Sequence, residues 1–274
     1  MYITNNPKVA AIAQKYGVDR IWVDLETYGK EERQRGMNTV KSQHCIDDIR
    51  RIKPLLSTSE MLVRVNAWHD KSETEIDEVI KAGADLIMLP MWRSLSDVKG
   101  FIDAVDGRAK TVLLLETVEA ENCLDNVLSV CRPDEIHIGL NDLHLSYGLT
   151  FMFELLSNGT VERICSKLRE SGIPYGFGGI AGIGSGLLPA QKILKEHFRL
   201  GSDRVILARG FCNTSDIIDL TEIDRVFDVN MKKLRECEAE MLKCTQDDFE
   251  LNKREIAQCV NSIVAEIKRN RSEI

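Results

Sequence analysis

The chain has 274 residues, of which 43% are hydrophobic, and its 36 Lys and Arg against 43 Asp and Glu give a formal charge of −7. That much apolar surface excludes a disordered chain, and since a barrel of roughly 250 residues can form one domain, the length suits one large core with a small appendage. A pI near 5.4 lacks the basic field that nucleic acid or an anionic membrane requires, so neither is expected as a partner.

The opening MYITNNPK has no signal-peptide pattern and no apolar run approaches the roughly 20 residues that span a bilayer, which predicts a cytoplasmic protein. Short β-branched, apolar runs then recur at Tyr2–Thr4, Arg20–Leu25, Met61–Asn66, Leu86–Pro90, Thr111–Glu116, Glu135–Leu140, Pro174–Phe177 and Arg204–Ala208. Helical spacing separates them, as in Ile46, Ile49 and Ile52, or Ile76, Val79 and Ile80 before a stop at Gly83. Eight strands alternating with helices predict an α/β fold of the (β/α)8 TIM barrel type over residues 1–220, with a doubly wound open sheet as the competing arrangement. From 221 to 274 no strand signal remains. Ile223, Val226 and Phe227 begin one apolar stripe, and Ile256, Cys259, Val260, Ile263, Val264 and Ile267 form another. This predicts a C-terminal helical extension that either covers the barrel wall or meets a second subunit, with a homo-oligomer expected.

The eight cysteines are scattered singly with no CxxC pair, which fits reduced, mostly buried thiols better than disulfides or a zinc site. Among the five histidines, His44 and His69 follow strands two and three at loop distance and could act as bases, whereas His137 reads as structural and His197 as surface or outer support. No HxH or HxxxH spacing supports a histidine metal site. The run GFGGIAGIGSG contains a literal GxGxxA, but it follows the seventh strand rather than the first, so it reads as an anion-approaching loop in which Gly178 and Gly179 line a pocket.

Several strands end in charged or amide side chains that are costly in a core: Asp24, Glu26, Arg64, Asn66, Glu116, Asn141 and Asp142. In a barrel these ends share the face on which sites are built. Glu116 and Asp142 could converge there to hold Mg2+ or Mn2+, or without a metal could share a proton as an acid/base pair. Arg64 suits capture of a substrate carboxylate or stabilisation of a developing oxyanion, and equally a salt bridge to Asp24, Glu26 or Glu116.

In order along the chain, VDLE (Val23 to Glu26), LVRVN (Leu62 to Asn66), GADLIMLPM (Gly83 to Met91), LLLET (Leu113 to Thr117) and IGLNDL (Ile138 to Leu143) resemble the HpcH/HpaI aldolase and citrate lyase β-subunit family. The resemblance spans about residues 1–212. It implies a modified (β/α)8 barrel with a divalent metal, Mg2+ or Mn2+ before Co2+, and a small 2-oxo acid or acyl-CoA substrate. It places the metal ligands at Glu116 and Asp142, the substrate-binding arginine at Arg64 and a supporting acid at Glu26. Pyruvate aldolases of the family carry a catalytic His directly after that acid, and here Thr27 and Tyr28 follow instead. His44, Tyr28 or a metal-activated hydroxide then stand as bases. The leading expectation is a metal-dependent carbon–carbon lyase acting on a 4-hydroxy-2-oxo acid through a pyruvate enolate. In it Leu140, Asn141 and Asp142 hold the substrate carboxylate, Gly178 and Gly179 line the far end, and Arg209 meets a distal anion. The alternatives are an acyl-CoA lyase or thioesterase and a non-catalytic barrel subunit.

Overall fold

The computed structural model describes residues 1–28 and 44–272. Its eight strands close into a parallel barrel in chain order: β1 (Tyr2–Ile3), β2 (Arg20–Asp24), β3 (Glu60–Arg64), β4 (Leu86–Leu89), β5 (Lys110–Leu115), β6 (Glu135–Ile138), β7 (Tyr175–Ile180) and β8 (Arg204–Leu207), with β8 pairing back to β1. The helices are α1 (Pro7–Lys15), α2 (Ile46–Ile52), α3 (Ser72–Ala82), α4 (Leu95–Val105), α5 (Val118–Val130), α6 (Leu140–Ser146), α7 (Glu154–Ser157), α8 (Thr160–Ser171), α9 (Ala190–Leu200), α10 (Leu220–Met241) and α11 (Gln246–Ser272). The open-sheet alternative is therefore not the arrangement adopted.

Strand pairing fixes what fills the barrel. With the stagger of one residue per strand that an eight-stranded barrel of this type requires, the registers stack inward side chains in layers drawn from alternate strands. Arg20, Leu86, Glu135 and Arg204 form a layer near the amino end, Trp22, Met88, His137 and Ile206 a middle layer, and Asp24 with Gly139 a layer at the carboxyl end. The intervening strands contribute Leu62, Val112 and Gly176 below, then Ile3, Arg64, Leu114 and Gly178 above. Apolar members of these layers make an inner core distinct from the larger one between barrel and helices. At the amino end Glu135 accepts from Arg20 at 2.5 and 2.6 Å and from Arg204 at 2.8 Å. Paired charges close that end, and the carboxyl end is left for chemistry.

Three strand ends differ from the sequence expectation by two residues or more. β3 stops at Arg64, freeing Asn66 for a loop, and β6 stops at Ile138, so Leu140 opens helix α6. β7 continues to Ile180, which places Gly178 and Gly179 inside a strand with a register irregularity against β8. Close approach is the reason for glycine here: a Cβ on Gly176 would stand 2.4 Å from the Arg204 carbonyl oxygen.

The C-terminal stripe packs against its own barrel. Ile256 and Val260 are fully buried in the main core, while Cys259, Ile263, Val264 and Ile267 are partly covered by it. Polar contacts select the docking position: buried Asn252 donates to the Lys192 carbonyl (3.1 Å) and Glu196 (3.0 Å), and Lys253 pairs with Glu162 (2.7 Å). All eight cysteines are free, four of them buried, and Cys45 is exposed.

His197 departs from its expected surface position. On the inner face of α9 with Ile193, Leu194 and Leu200, it stacks on Phe177 with ring centroids 3.7 Å apart. Burial pushes both His197 and His137 down to a pKa of about 3 from the usual 6.5. Both are neutral in the fold, so unfolding lets each take up a proton below pH 6.5, and stability falls as pH falls from 6.5 toward 3. Each histidine accounts for about 1.4 kcal/mol per pH unit inside that window. His197→Phe should therefore reduce the stability lost between pH 7 and pH 5, measured by urea unfolding, by about 2 kcal/mol. An unchanged loss would contradict a neutral, buried His197.

Candidate active site at the carboxyl end of the barrel

The end of β2 carries Asp24, and the end of β3 carries Arg64 in register beside it. Asp24 takes Arg64 in a two-point grip, Nε to Oδ1 and Nη2 to Oδ2, both at 2.8 Å. Nη2 also lies 3.2 Å from Glu26 Oε2, and the guanidinium sits 5.1 Å above the Trp22 ring. Asp24 and Glu26 are almost wholly buried and Arg64 is 12% exposed. Burial alone would lower the Arg64 pKa, but Asp24 and Glu26, with Glu116 behind them, raise it, so the cation is permanent. Asp24 and Glu26 engage Nε and Nη2, which leaves the Nη1 edge as the one these two carboxylates do not occupy.

Glu116 follows β5 and is 3% exposed. Its Oε1 accepts the Met91 N–H at 3.0 Å. Burial first, and then the neighbouring charge of Asp142, push its pKa well above the carboxylate range; Arg64 opposes this and Glu26 adds to it. Asp142 comes from the first turn of α6, where it is half-buried beside Asn141, while the Leu140 side chain turns into the core. Arg64, Glu26, Glu116 and Asp142 are thus one electrostatic cluster, as their order at strand ends suggested.

Thr27 and Tyr28, just after β2, are fastened by Asn66. Asn66 Oδ1 accepts from the Thr27 N–H (2.8 Å) and the Tyr28 N–H (3.0 Å), and its Nδ2 donates to Glu75 (2.7 Å). Thr27, where the resemblance drawn from the sequence implies histidine, also directs its hydroxyl to Asn66. His44 joins the cluster indirectly, its Nδ1 accepting the Asp24 N–H at 3.0 Å. Tyr28 is 54% exposed and its ring meets His69 edge-on, while His69 lies 3.3 Å from Glu75. Arg209 is exposed just after β8. Gly178 accepts from His137 through its carbonyl (3.0 Å) and its Cα faces the Leu140 side chain, and Gly179 packs against Ile206.

Two contributors were not singled out from the sequence. Met91, which adopts a left-handed φ of 52°, and Gly139, which lies against Glu116, carry no sequence signal of these contacts.

A sequence model of the family described as HpcH/HpaI aldolase/citrate lyase matches residues 1–172. Among solved structures, the chain is similar to an HpcH/HpaI aldolase from Desulfitobacterium hafniense DCB-2, at 16% identity over 76% of this chain and 84% of that one, with a TM-score of 0.54. It is similar to an HpcH/HpaI aldolase/citrate lyase family protein from Burkholderia cenocepacia J2315, at 13% identity over 87% and 94% of the two chains, with a TM-score of 0.58. It is also similar to the citrate synthase SbnG, at 16% identity over 86% and 92%, with a TM-score of 0.56. At these identities the structural likeness speaks for the fold. A comparison with curated proteins gives no match.

Removing Asp24 would leave Arg64 buried without its main partner. Asp24→Ala should lower the unfolding free energy by about 3–5 kcal/mol, read by urea unfolding with tryptophan fluorescence. A loss below about 1 kcal/mol would mean the pair is solvated and worth no more than a surface bridge.

Proposed function

The chain belongs to the HpcH/HpaI aldolase/citrate lyase family, and from that premise we propose that it is a divalent-metal-dependent carbon–carbon lyase that cleaves or forms a 4-hydroxy-2-oxo acid through a pyruvate enolate. The observation that carries this reading is the buried carboxylate Glu116, set beside Asp142 and opposite the permanent cation Arg64. Mutual repulsion between Glu116 and Asp142 is relieved by a cation, and both offer only hard oxygen donors. Among the described residues no group of three or more His, Cys, Asp or Glu is placed to hold a metal ion; two carboxylates, with water and substrate in the remaining positions, would be a set for Mg2+ or Mn2+. Bound between Glu116 and Asp142, such an ion would supply Lewis acidity at the substrate's 2-oxo oxygen.

The chain's own groups supply the rest. Arg64, oriented by Asp24 and Glu26, offers its Nη1 edge to the same oxygen as negative charge develops there, and fixed donors of this kind need no rearrangement during reaction. The N–H groups of Leu140, Asn141 and Asp142, in the opening turn of α6 and without intrahelical acceptors, would hold the substrate carboxylate. In cleavage the 4-hydroxyl loses its proton and becomes the aldehyde carbonyl, and the C3–C4 bond breaks with its electron pair passing into the enolate. Protonation at C3 then gives pyruvate. His44, or the Tyr28 hydroxyl at the rim, would take the hydroxyl proton, because Thr27 cannot. Gly178 and Gly179 would line the aldehyde end, with Arg209 meeting a distal anionic group.

The substitution of Thr27 for histidine favours one second reading, an acyl-CoA lyase or thioesterase, which would bind coenzyme A thioesters. The two readings separate in one experiment. EDTA-treated protein should fail to exchange the methyl protons of pyruvate in D2O, added Mg2+ or Mn2+ should restore exchange, and Glu116→Gln should abolish it while remaining folded by circular dichroism. Exchange without metal, or no exchange with any metal, would overturn the aldolase reading.

A further inference from the structure

We propose that Gly139 and the Met91 peptide together form a slot that aims the Glu116 carboxylate at Asp142, so that Gly139 governs how tightly the site holds a divalent cation. This rests on the metal reading above. On one side of the slot, Met91 adopts φ 52°, a conformation side-chain-bearing residues rarely take, and its N–H is thereby presented to Glu116 Oε1 at 3.0 Å. On the other side lies the bare Cα of Gly139. A Cβ built there would stand 2.9 Å from Glu116 Oε2, 3.0 Å from Glu116 Cβ and 3.2 Å from Leu114 Cδ1.

The backbone at Gly139 does not itself demand glycine, since its φ is −82°. Space is what the residue supplies. Nor can that backbone retreat from an added methyl: its N–H donates to the Leu115 carbonyl at 2.9 Å in the sheet, and its carbonyl accepts from the Leu143 N–H at 3.0 Å in α6. The displaced partner must be the Glu116 side chain. Pushed off Gly139, the carboxylate loses its line to Asp142, and the two oxygens no longer face one ion. Gly139 and Met91 act here as positioning residues, since both would work through Glu116.

The test is Mn2+ binding, followed by the electron paramagnetic resonance signal of free Mn2+. Gly139→Ala should weaken binding at least tenfold relative to the parent while shifting the melting temperature by only a few degrees. A purely structural role would lower the melting temperature and leave the affinity of the folded protein unchanged, and that result would overturn the proposal. Should Gly139→Ala not fold, Glu116→Asp tests the same point, because it keeps the charge but withdraws the carboxylate from the slot. It too should bind at least tenfold more weakly, and parental affinity would overturn the proposal. If the parent itself binds no Mn2+ while Gly139→Ala is folded, the metal reading falls and the slot's role in metal affinity falls with it, an outcome separate from equal binding by both proteins.

Discussion

Arg64 is a cation held at the mouth of a barrel above largely apolar middle layers, and its burial obliges the surrounding chain to supply anions. Asp24 answers first with a two-point grip, and Glu26 adds a second contact on the same nitrogen. Glu116 and Asp142 add further carboxylates to the cluster, and burial first, then the charge of Asp142, pushes the Glu116 pKa well above the carboxylate range. This grouping of carboxylates is the feature on which the proposed function rests. At the amino end, by contrast, Arg20, Arg204 and Lys110 are matched by Glu60, Glu135 and Asp203.

The layers of the barrel set where this cluster lies. Asp24, Arg64 and Glu116 sit above the Trp22 and Met88 level, so the apolar layers below form a floor that excludes water from one side only. Trp22 contributes twice, filling the interior and lying under the Arg64 guanidinium. The surrounding loops are secured by amides and carboxylates, notably Asn66 and Glu75, which keep the segment after Glu26 in place. The C-terminal helices reinforce the wall from outside through Ile256, Val260 and the Asn252 contacts.

Much of this was legible in the sequence because parallel strands are buried on both faces and read as apolar runs, and because a charged residue closing such a run has few reasons to be there. Arg64, Glu116 and Asp142 were visible for that reason. Contacts that depend on pairing between distant strands were not. Met91's conformation and Gly139's empty Cβ position arise only when β4, β5 and β6 lie side by side. β7 was read as too short because its glycines resemble a loop, whereas they serve the close approach of β8. His197 was placed outside because a histidine on a polar-rich helix gives no sign of the Phe177 ring beneath it.

The central claim is that Glu116 and Asp142 at the barrel mouth hold a divalent cation. It is tested most directly by anomalous diffraction at the manganese edge from crystals soaked in Mn2+ with oxalate, an analogue of the pyruvate enolate. The account predicts one strong peak between Glu116 and Asp142, with oxalate between that peak and Arg64. A peak elsewhere, or none at this position, would contradict it.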